Sequence, residues 1–161
     1  MLIYLVEVGM DKIDRKILTL LQANGHLTNQ ELASKIALSP SPCLRRVKQL
    51  EESGIIRQYV ALLDPEKLGL QLTVFVVVGL NTHEPHMMVA FEQAVKSFPE
   101  VIQCALIAGQ DQDYILKIVI QNMDEYQSFL LKKLTQIPGI KSVRSSFVLR
   151  EIINKTAMPI P

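Results

Sequence analysis

Residues 39–54 read SPSPCLRRVKQLEESG, and this stretch decides the fold of the N-terminal part of the chain. Ser39 is suited to cap a helix, and Pro40 is suited to its first position, where the missing N–H costs nothing. Gly54 is a typical residue to follow the helix end. At about 100° per residue, one side of this helix collects the apolar residues Cys43, Leu44, Val47 and Leu50.

The opposite side of the same helix is polar and basic. Between Cys43 and Leu50 the chain carries three cations and no acid. Short residues followed by long forked ones suit a helix that enters the major groove of DNA. The residues expected to read bases are Ser41, Arg45 and Gln49, those expected to hold phosphates are Arg46, on the flank, and Lys48, and the helix start adds Ser39 and Pro42. The alternative interpretation is a solvated basic face on a small helical bundle.

Two shorter patterns precede this helix. Residues 11–24 place apolar side chains at helical spacing and end at Asn24-Gly25. Thr28 and Glu31 have the spacing of a capping box, which predicts a second helix there. Three helices with a tight second connection and a basic third helix predict a winged-type helix-turn-helix over residues 10–54. Residues 55–63 are expected to be extended, as a linker strand within a connection that reaches residue 71.

Residues 72–161 alternate between β-branched runs and amphipathic stretches. The expected order is strand 72–80, helix 85–97, strands 101–108 and 113–120, helix 124–136 and strand 140–152. This order predicts a ferredoxin-like βαββαβ domain with an antiparallel sheet, so the fold class is α+β. Helices on one face leave the other face bare, and we expect a second subunit to bury it.

Composition narrows the class of protein. The 161 residues carry 17 basic and 16 acidic side chains, a net charge of +1, so a nucleic-acid role rests on where the charges lie. The two cysteines form no C-x-x-C motif, which favours a reducing cytoplasm. No apolar run after the start reaches membrane-helix length. Residues 1–9 are interpreted as an upstream extension or a loose leader.

These motifs together resemble the Lrp/AsnC, or feast/famine, transcriptional regulators of bacteria and archaea. The resemblance covers nearly everything after Met10, and each motif is weak alone but specific within the set. The residues that carry it are Asp11–Leu18, Leu27–Ala33, Leu38–Glu51, Gly54–Ile56, Tyr59–Pro65, Pro99–Val101, Gly109–Tyr114 and Ser145–Val148.

The resemblance implies a DNA-binding regulator whose sheet domain forms homodimers, often assembled into octamers, and senses an amino acid held between dimers. It places the effector near the loop after the second strand of the sheet. Gly109 would let the backbone approach the ligand, and Asp111 or Asp113 would take its ammonium group. The full expected ligand set is Gly109, Gln110, Asp111, Asp113, Tyr114, Ser145 and Ser146.

This loop departs from the family in one respect. Three residues separate Gly109 from Asp113, where the family usually has two. The loop geometry, and with it the response to a ligand, therefore stays open. A plain hairpin turn is the alternative interpretation, because Gly and Asp are ordinary turn residues.

Other functions are weighed against this one. His83 and His86 flank a proline turn but lack the further ligands of a zinc site, so no metal or cofactor beyond the amino-acid effector is expected. Cys43 is expected to be a small core residue. No nucleophile with a base and no phosphate-binding loop is recognisable, so an enzyme is not expected. An amino-acid-binding module that has lost DNA binding remains the alternative.

Overall fold

The computed structural model describes residues 9–109 and 112–161. The chain forms two compact units. One unit extends to Leu62 and also includes Ile153–Pro161, and the other consists of Leu63–Ile152. Within the described part of the chain, no helix has the length and apolar character needed to cross a membrane.

The helical unit contains three helices, α1 (Lys12–Ala23), α2 (Asn29–Lys35) and α3 (Pro40–Glu52). Asp11 caps α1 and Thr28 caps α2, and both form complete capping boxes in which the third helical residue reaches back to the cap. Ser39 occupies the N-cap position of α3, yet its side chain makes no capping hydrogen bond. The three predicted helices are confirmed to within one or two residues.

The turn between α2 and α3 depends on one residue in a left-handed conformation. Ala37 has φ +57°, which costs an L-residue free energy that glycine avoids. The N–H of Leu38 donates to the carbonyl of Ala33 across 3.0 Å, the closing bond of a Schellman-type helix end. This tight end sets the direction in which α3 begins.

An apolar core holds the three helices together. Its fully buried members include Ile17 of α1, Leu32 of α2 and Cys43 of α3. Cys43 is therefore a core residue as expected, and burial raises the pKa of its thiol, which makes it a poor nucleophile. Leu44 departs from the prediction: it is 44% exposed, because it lies on the edge of the apolar side and not at its centre.

Arg46 ties α3 to the start of α1. Its Nη1 lies 2.7 Å from Asp14 Oδ1 and 2.8 Å from Asp11 Oδ2. The expectation that Arg46 holds a DNA phosphate stays a prediction, and the structure adds that its Nη1 contacts two carboxylates of its own chain. The pKa of Asp11 is lowered, first by the N–H of Asp14 and further by Arg46.

The C-terminal segment belongs to the helical unit. The Gln22 amide donates to the Met158 carbonyl across 3.0 Å, and the Met158 N–H donates back to Gln22 Oε1 across 2.6 Å. Ile160 packs against the helical core. The sequence pattern placed residues 153–161 with the sheet, whereas the structure places them with the helices.

The second unit is a four-stranded sheet with helices on one face. It contains, in chain order, β1 (Leu72–Leu80), α4 (Pro85–Lys96), β2 (Val101–Leu106), β3 (Tyr114–Ile120), α5 (Met123–Lys132) and β4 (Ile140–Phe147). The strand order is β2-β3-β1-β4 and every neighbouring pair is antiparallel. This is the predicted ferredoxin-like arrangement.

Two extended segments are shorter than the sequence pattern suggested. β4 ends at Phe147 and not at Ile152. The N–H of Val148 still donates to the Thr73 carbonyl, but β1 begins at Leu72 and offers the later residues no partner. Residues 55–63 form no strand, since no neighbouring strand pairs with them in the described parts of the chain. The chain there leaves the third helix without ladder hydrogen bonds.

We predict that Arg46→Ala lowers the melting temperature of the protein by roughly 2–5 °C at neutral pH, because Asp11 and Asp14 lose their shared cation. The lowered pKa of Asp11 means that its contribution is present above its unfolded value and is lost as the pH falls through its folded value. The difference between variant and wild type should therefore shrink below about pH 4. Differential scanning fluorimetry across pH measures it.

The matched control is Lys48→Ala, which removes a cation from the same helix where the described residues offer it no ion pair. Equal melting temperatures for Arg46→Ala and wild type at pH 7 would contradict the stabilising role.

Candidate functional site

The outer face of α3 is the first candidate site. Ser41, Arg45, Lys48 and Gln49 are all exposed, and Pro42 is half-buried. Arg45 and Gln49 are one helical turn apart and so project side by side. Neither Arg45 nor Lys48 makes an ion pair with any residue that the structure describes, so both cations remain available for a partner.

A polar contact holds this face in place at its N-terminal end. The side-chain amide of Asn29, the first residue of α2, donates to the carbonyl of Pro40 across 2.8 Å. Because α2 and α3 are thereby joined at their starts, the exposed residues of α3 are carried on a braced pair of helices. The sequence analysis did not identify Asn29, whose contact depends on the angle between the two helices.

The start of α3 is a weaker anion site than expected. Pro40 and Pro42 have no N–H to offer, and the N–H of Cys43 bonds to the Ser39 carbonyl. Within the first turn, Ser41 is the residue whose N–H points forward without a helical partner. The phosphate contacts expected at this helix start therefore reduce to Ser41 and the unbonded Ser39 hydroxyl.

The second candidate site lies where β3 begins. Asp113, which directly precedes β3, is held on all sides: its N–H donates to Val78, its carbonyl accepts from Ile107, and its Oδ2 accepts from the Leu80 N–H at 2.6 Å. Its other oxygen lies 2.6 Å from His83 Nε2. The pKa of Asp113 is lowered, chiefly by the Leu80 N–H, so the carboxylate is ionised at neutral pH.

Gln112 and Ser142 join the same end of the sheet. Gln112 Nε2 lies 3.4 Å from the Ser142 hydroxyl, and the Gln112 Oε1 is buried without a hydrogen-bond partner among the residues that the structure describes. A buried carbonyl oxygen without a donor costs free energy unless something supplies one. This end of the sheet thus offers an unused acceptor, a hydroxyl and a fixed carboxylate.

The structure separates several of the expected ligand residues from this end. Tyr114 is buried, stacks on Phe91 with ring centres 4.6 Å apart and donates to Glu92, so its ring belongs to the core. Ser145 lies under α5 with its hydroxyl on Tyr126. Ser146 points from the opposite face of the sheet, since neighbouring residues of a strand alternate.

Register explains this difference. Ser142 pairs with Gly79, beside Asp113, whereas Ser145 and Ser146 pair with Val76 and Phe75 further along β1. At about 3.3 Å per residue, Ser145 lies roughly 10 Å from Ser142 along β4. Gly109 is exposed with open space around it. Gln110 and Asp111 lie outside the described residues.

The two histidines of the proline turn contact different carboxylates. His83 contacts Asp113, while His86 Nδ1 lies 3.4 Å from Glu84. Among the described residues, no group of three or more His, Cys, Asp or Glu side chains is arranged to hold a metal ion. The sequence pattern raised His83 only in connection with a metal site, whereas in the structure it contacts Asp113.

Comparison with known proteins gives both units a family. Residues 10–57 match the model of a winged helix-turn-helix DNA-binding domain, and residues 73–158 match that of the Lrp/AsnC ligand binding domain. The leucine-responsive regulatory proteins of Klebsiella pneumoniae and Escherichia coli strain K12 are each 41% identical over 143 residues, which span 89% of this chain and 87% of theirs.

Solved structures agree with this assignment. A transcriptional regulator from Neisseria meningitidis, solved as an L-Met complex, superposes with a TM-score of 0.89 at 45% identity, covering 93% of this chain and 96% of its own. An AsnC family regulator from Agrobacterium tumefaciens has a TM-score of 0.88 at 39% identity, covering 93% and 97%. The chain therefore belongs to the Lrp/AsnC family of transcriptional regulators.

Proposed function

We propose that this protein regulates transcription by reading duplex DNA with the outer face of α3 and by binding a free amino acid at the end of the sheet that carries Asp113. The observation that carries the DNA half is the pair of exposed cations without partners, Arg45 and Lys48, on a helix braced by Asn29. Regulation, and not catalysis, is the activity of the family. A protein that binds the chromosome of a bacterium acts in the cytoplasm.

The roles of the α3 residues follow from their positions. Arg45 has a planar fork that can donate twice to one guanine, and Gln49, one turn further, can pair with a neighbouring base. Ser41 is short enough for close approach at the helix start. Lys48 holds a phosphate as a flexible point charge. Arg46 is left out of this set because Asp11 and Asp14 already occupy it.

An amino-acid effector suits the polar groups near Asp113. A zwitterion needs donors for its carboxylate and acceptors for its ammonium group. Gln112 supplies a free buried acceptor and Ser142 a hydroxyl that can serve either way. The L-Met complex of the Neisseria relative and the name of the leucine-responsive relatives indicate L-methionine and L-leucine as the first probes.

We further propose that the protein forms a homodimer through the open face of the sheet and that the dimers assemble into octamers. On this face Phe75 is 37% exposed, and Val77, Ile115 and Val119 are half-buried beside it. Lys117 lies beside Phe75 on the same face, with its Nζ 6.0 Å from the centre of the ring. A cluster of exposed and half-buried apolar side chains with a polar neighbour is typical of a sheet surface that another copy buries. Two copies joined in this way would present two α3 helices to a pseudo-palindromic site.

We predict that Arg45→Ala costs about 1–3 kcal/mol of binding free energy at the preferred DNA site and relaxes base preference there, because a direct base contact is lost. Lys48→Ala should weaken binding to all sequences alike and lower the salt slope by about one. Selection from a random duplex pool followed by competition gel shifts measures both. Lys67→Ala, which removes an equally exposed cation from the other unit, is the control.

Unchanged base preference in Arg45→Ala would contradict direct reading by this residue. Failure of the wild type to shift any duplex would favour the alternative, an amino-acid-binding module without DNA binding.

We expect L-methionine or L-leucine to raise the melting temperature in a thermal-shift screen of the twenty amino acids, because a ligand that binds the folded state stabilises it. At a hundredfold excess over Kd the gain is about 2.7 kcal/mol. Ser142→Ala should reduce the shift, whereas Ser146→Ala, four residues further along β4 and away from Gln112, should keep it. A larger loss of the thermal shift in Ser146→Ala than in Ser142→Ala would place the site at the middle of β4.

Phe75→Glu should convert the homodimer into monomers in light scattering, because an apolar contact is lost and a carboxylate must be desolvated in the subunit interface. Val89→Glu, on the exposed side of α4, should remain dimeric. A dimer that survives Phe75→Glu would place the interface elsewhere.

A further inference from the structure

His83 makes a contact that the effector proposal does not use. It lies between β1 and α4, far in sequence from the loop before β3, and its Nε2 lies 2.6 Å from Asp113 Oδ1. The other contacts of Asp113 come from the backbone of Val78, Leu80 and Ile107. His83 is thus the side chain that joins the loop after β1 to the residue that begins the effector end of β3.

The contact differs in kind from the backbone ones. Backbone N–H and carbonyl groups keep their charge distribution at every pH, whereas an imidazole ordinarily changes charge between pH 5 and 8. As an imidazolium, His83 forms an ion pair with the Asp113 carboxylate, and as a neutral ring it offers a hydrogen bond alone. The strength of this link therefore depends on whether the ring carries a proton.

The change in charge is assigned to His83 because of the groups that surround its contact with Asp113. Asp113 stays ionised over that range, because the Leu80 N–H and the histidine lower its pKa. The charge of Lys141, at the start of β4, also lowers the pKa of Asp113, and Tyr114, the next residue of β3, is kept neutral by the raised pKa of its phenol. Glu84, next to His83 in sequence, is directed to His86.

The contact is also not needed to fill the core. The His83 side chain is 69% exposed, and Asp113 keeps three backbone hydrogen bonds without it. Truncating His83 therefore leaves no cavity, and the group that loses a partner is Asp113 Oδ1. What it removes is the fixed position of the Asp113 carboxylate relative to Gln112 and Ser142.

We infer that His83 is a positioning residue for the effector site, a latch on Asp113 that makes amino-acid affinity depend on pH between 6 and 8. This inference rests on the proposed function, because it concerns the same end of the sheet. The latch is strongest in the protonated form of the ring, because an imidazolium and a carboxylate attract each other. Effector binding is accordingly tighter at pH 6 than at pH 8.

The test titrates L-methionine and L-leucine into the full chain by calorimetry at pH 6 and pH 8. A partly exposed ion pair predicts about two- to fivefold tighter binding at pH 6 for wild type. His83→Ala should bind about two- to fivefold more weakly than wild type at pH 6 and lose the pH difference. His83→Gln, which keeps a donor near the Nε2 position without a charge, should regain affinity at pH 8 and stay insensitive to pH.

His86→Ala is the matched control, because it removes the neighbouring histidine of the same turn and should behave as wild type. Wild-type affinity and pH dependence in His83→Ala, or the same loss in His86→Ala, would overturn the latch while leaving the effector site intact. A wild type that binds neither amino acid at either pH would overturn the latch and the effector proposal together. Gel shifts without effector should be equal for all four proteins.

Discussion

One-sided burial of the sheet is the constraint on which the second unit depends. Every second side chain of β1 and β3 faces α4 and α5, and those of Val74, Val76, Val78, Leu116 and Ile118 are fully buried there. Because strand residues alternate between faces, the same chain segments must present Phe75, Val77, Ile115 and Val119 on the other side. The fold thus buries one face of the sheet and leaves these apolar side chains, with Lys117 among them, on the face where we propose that a second copy binds.

The same sheet carries the end at which we propose that a small molecule is recognised. Along the strands the side chains pack tightly, and polar groups collect where β1 and β3 meet the connecting loops. Asp113, Gln112, Ser142 and His83 come from three separate parts of the chain and meet at that end. A site built at such a junction responds to any movement of the loops that carry it, which suits a sensor better than a site inside the core would.

The helical unit shows how a single helix divides its cations between structure and recognition. Arg45 and Arg46 are neighbours in sequence, but about 100° separates them around α3. Arg46 turns toward α1 and is neutralised by two aspartates, while Arg45 turns to solvent and stays without a partner among the described residues. One of the cations of this segment, Arg46, therefore holds α1 and α3 together. Asn29 and the left-handed Ala37 then set the angle at which the free part is presented.

The sequence by itself determined the elements and their order. Helical periodicity, the capping boxes at Asp11 and Thr28 and the β-branched run of β1 are local features, governed by residues a few positions apart, so the helix-turn-helix and the βαββαβ order could be predicted from them. The exposure of Ser41, Arg45, Lys48 and Gln49 followed from the same helical angle. The exposure of the residues that we propose to face DNA could thus mostly be predicted from the sequence alone.

Tertiary structure decided what depends on register and on distant partners. The pairing of β4 with β1 placed Ser142 beside Gln112 and carried Ser145 and Ser146 away from the loop end. The stacking of Tyr114 on Phe91 moved a predicted ligand residue into the core. Arg46 with Asp14, His83 with Asp113 and Gln22 with Met158 join residues far apart in the chain, and no local pattern encodes such contacts, because they exist only after the elements have packed.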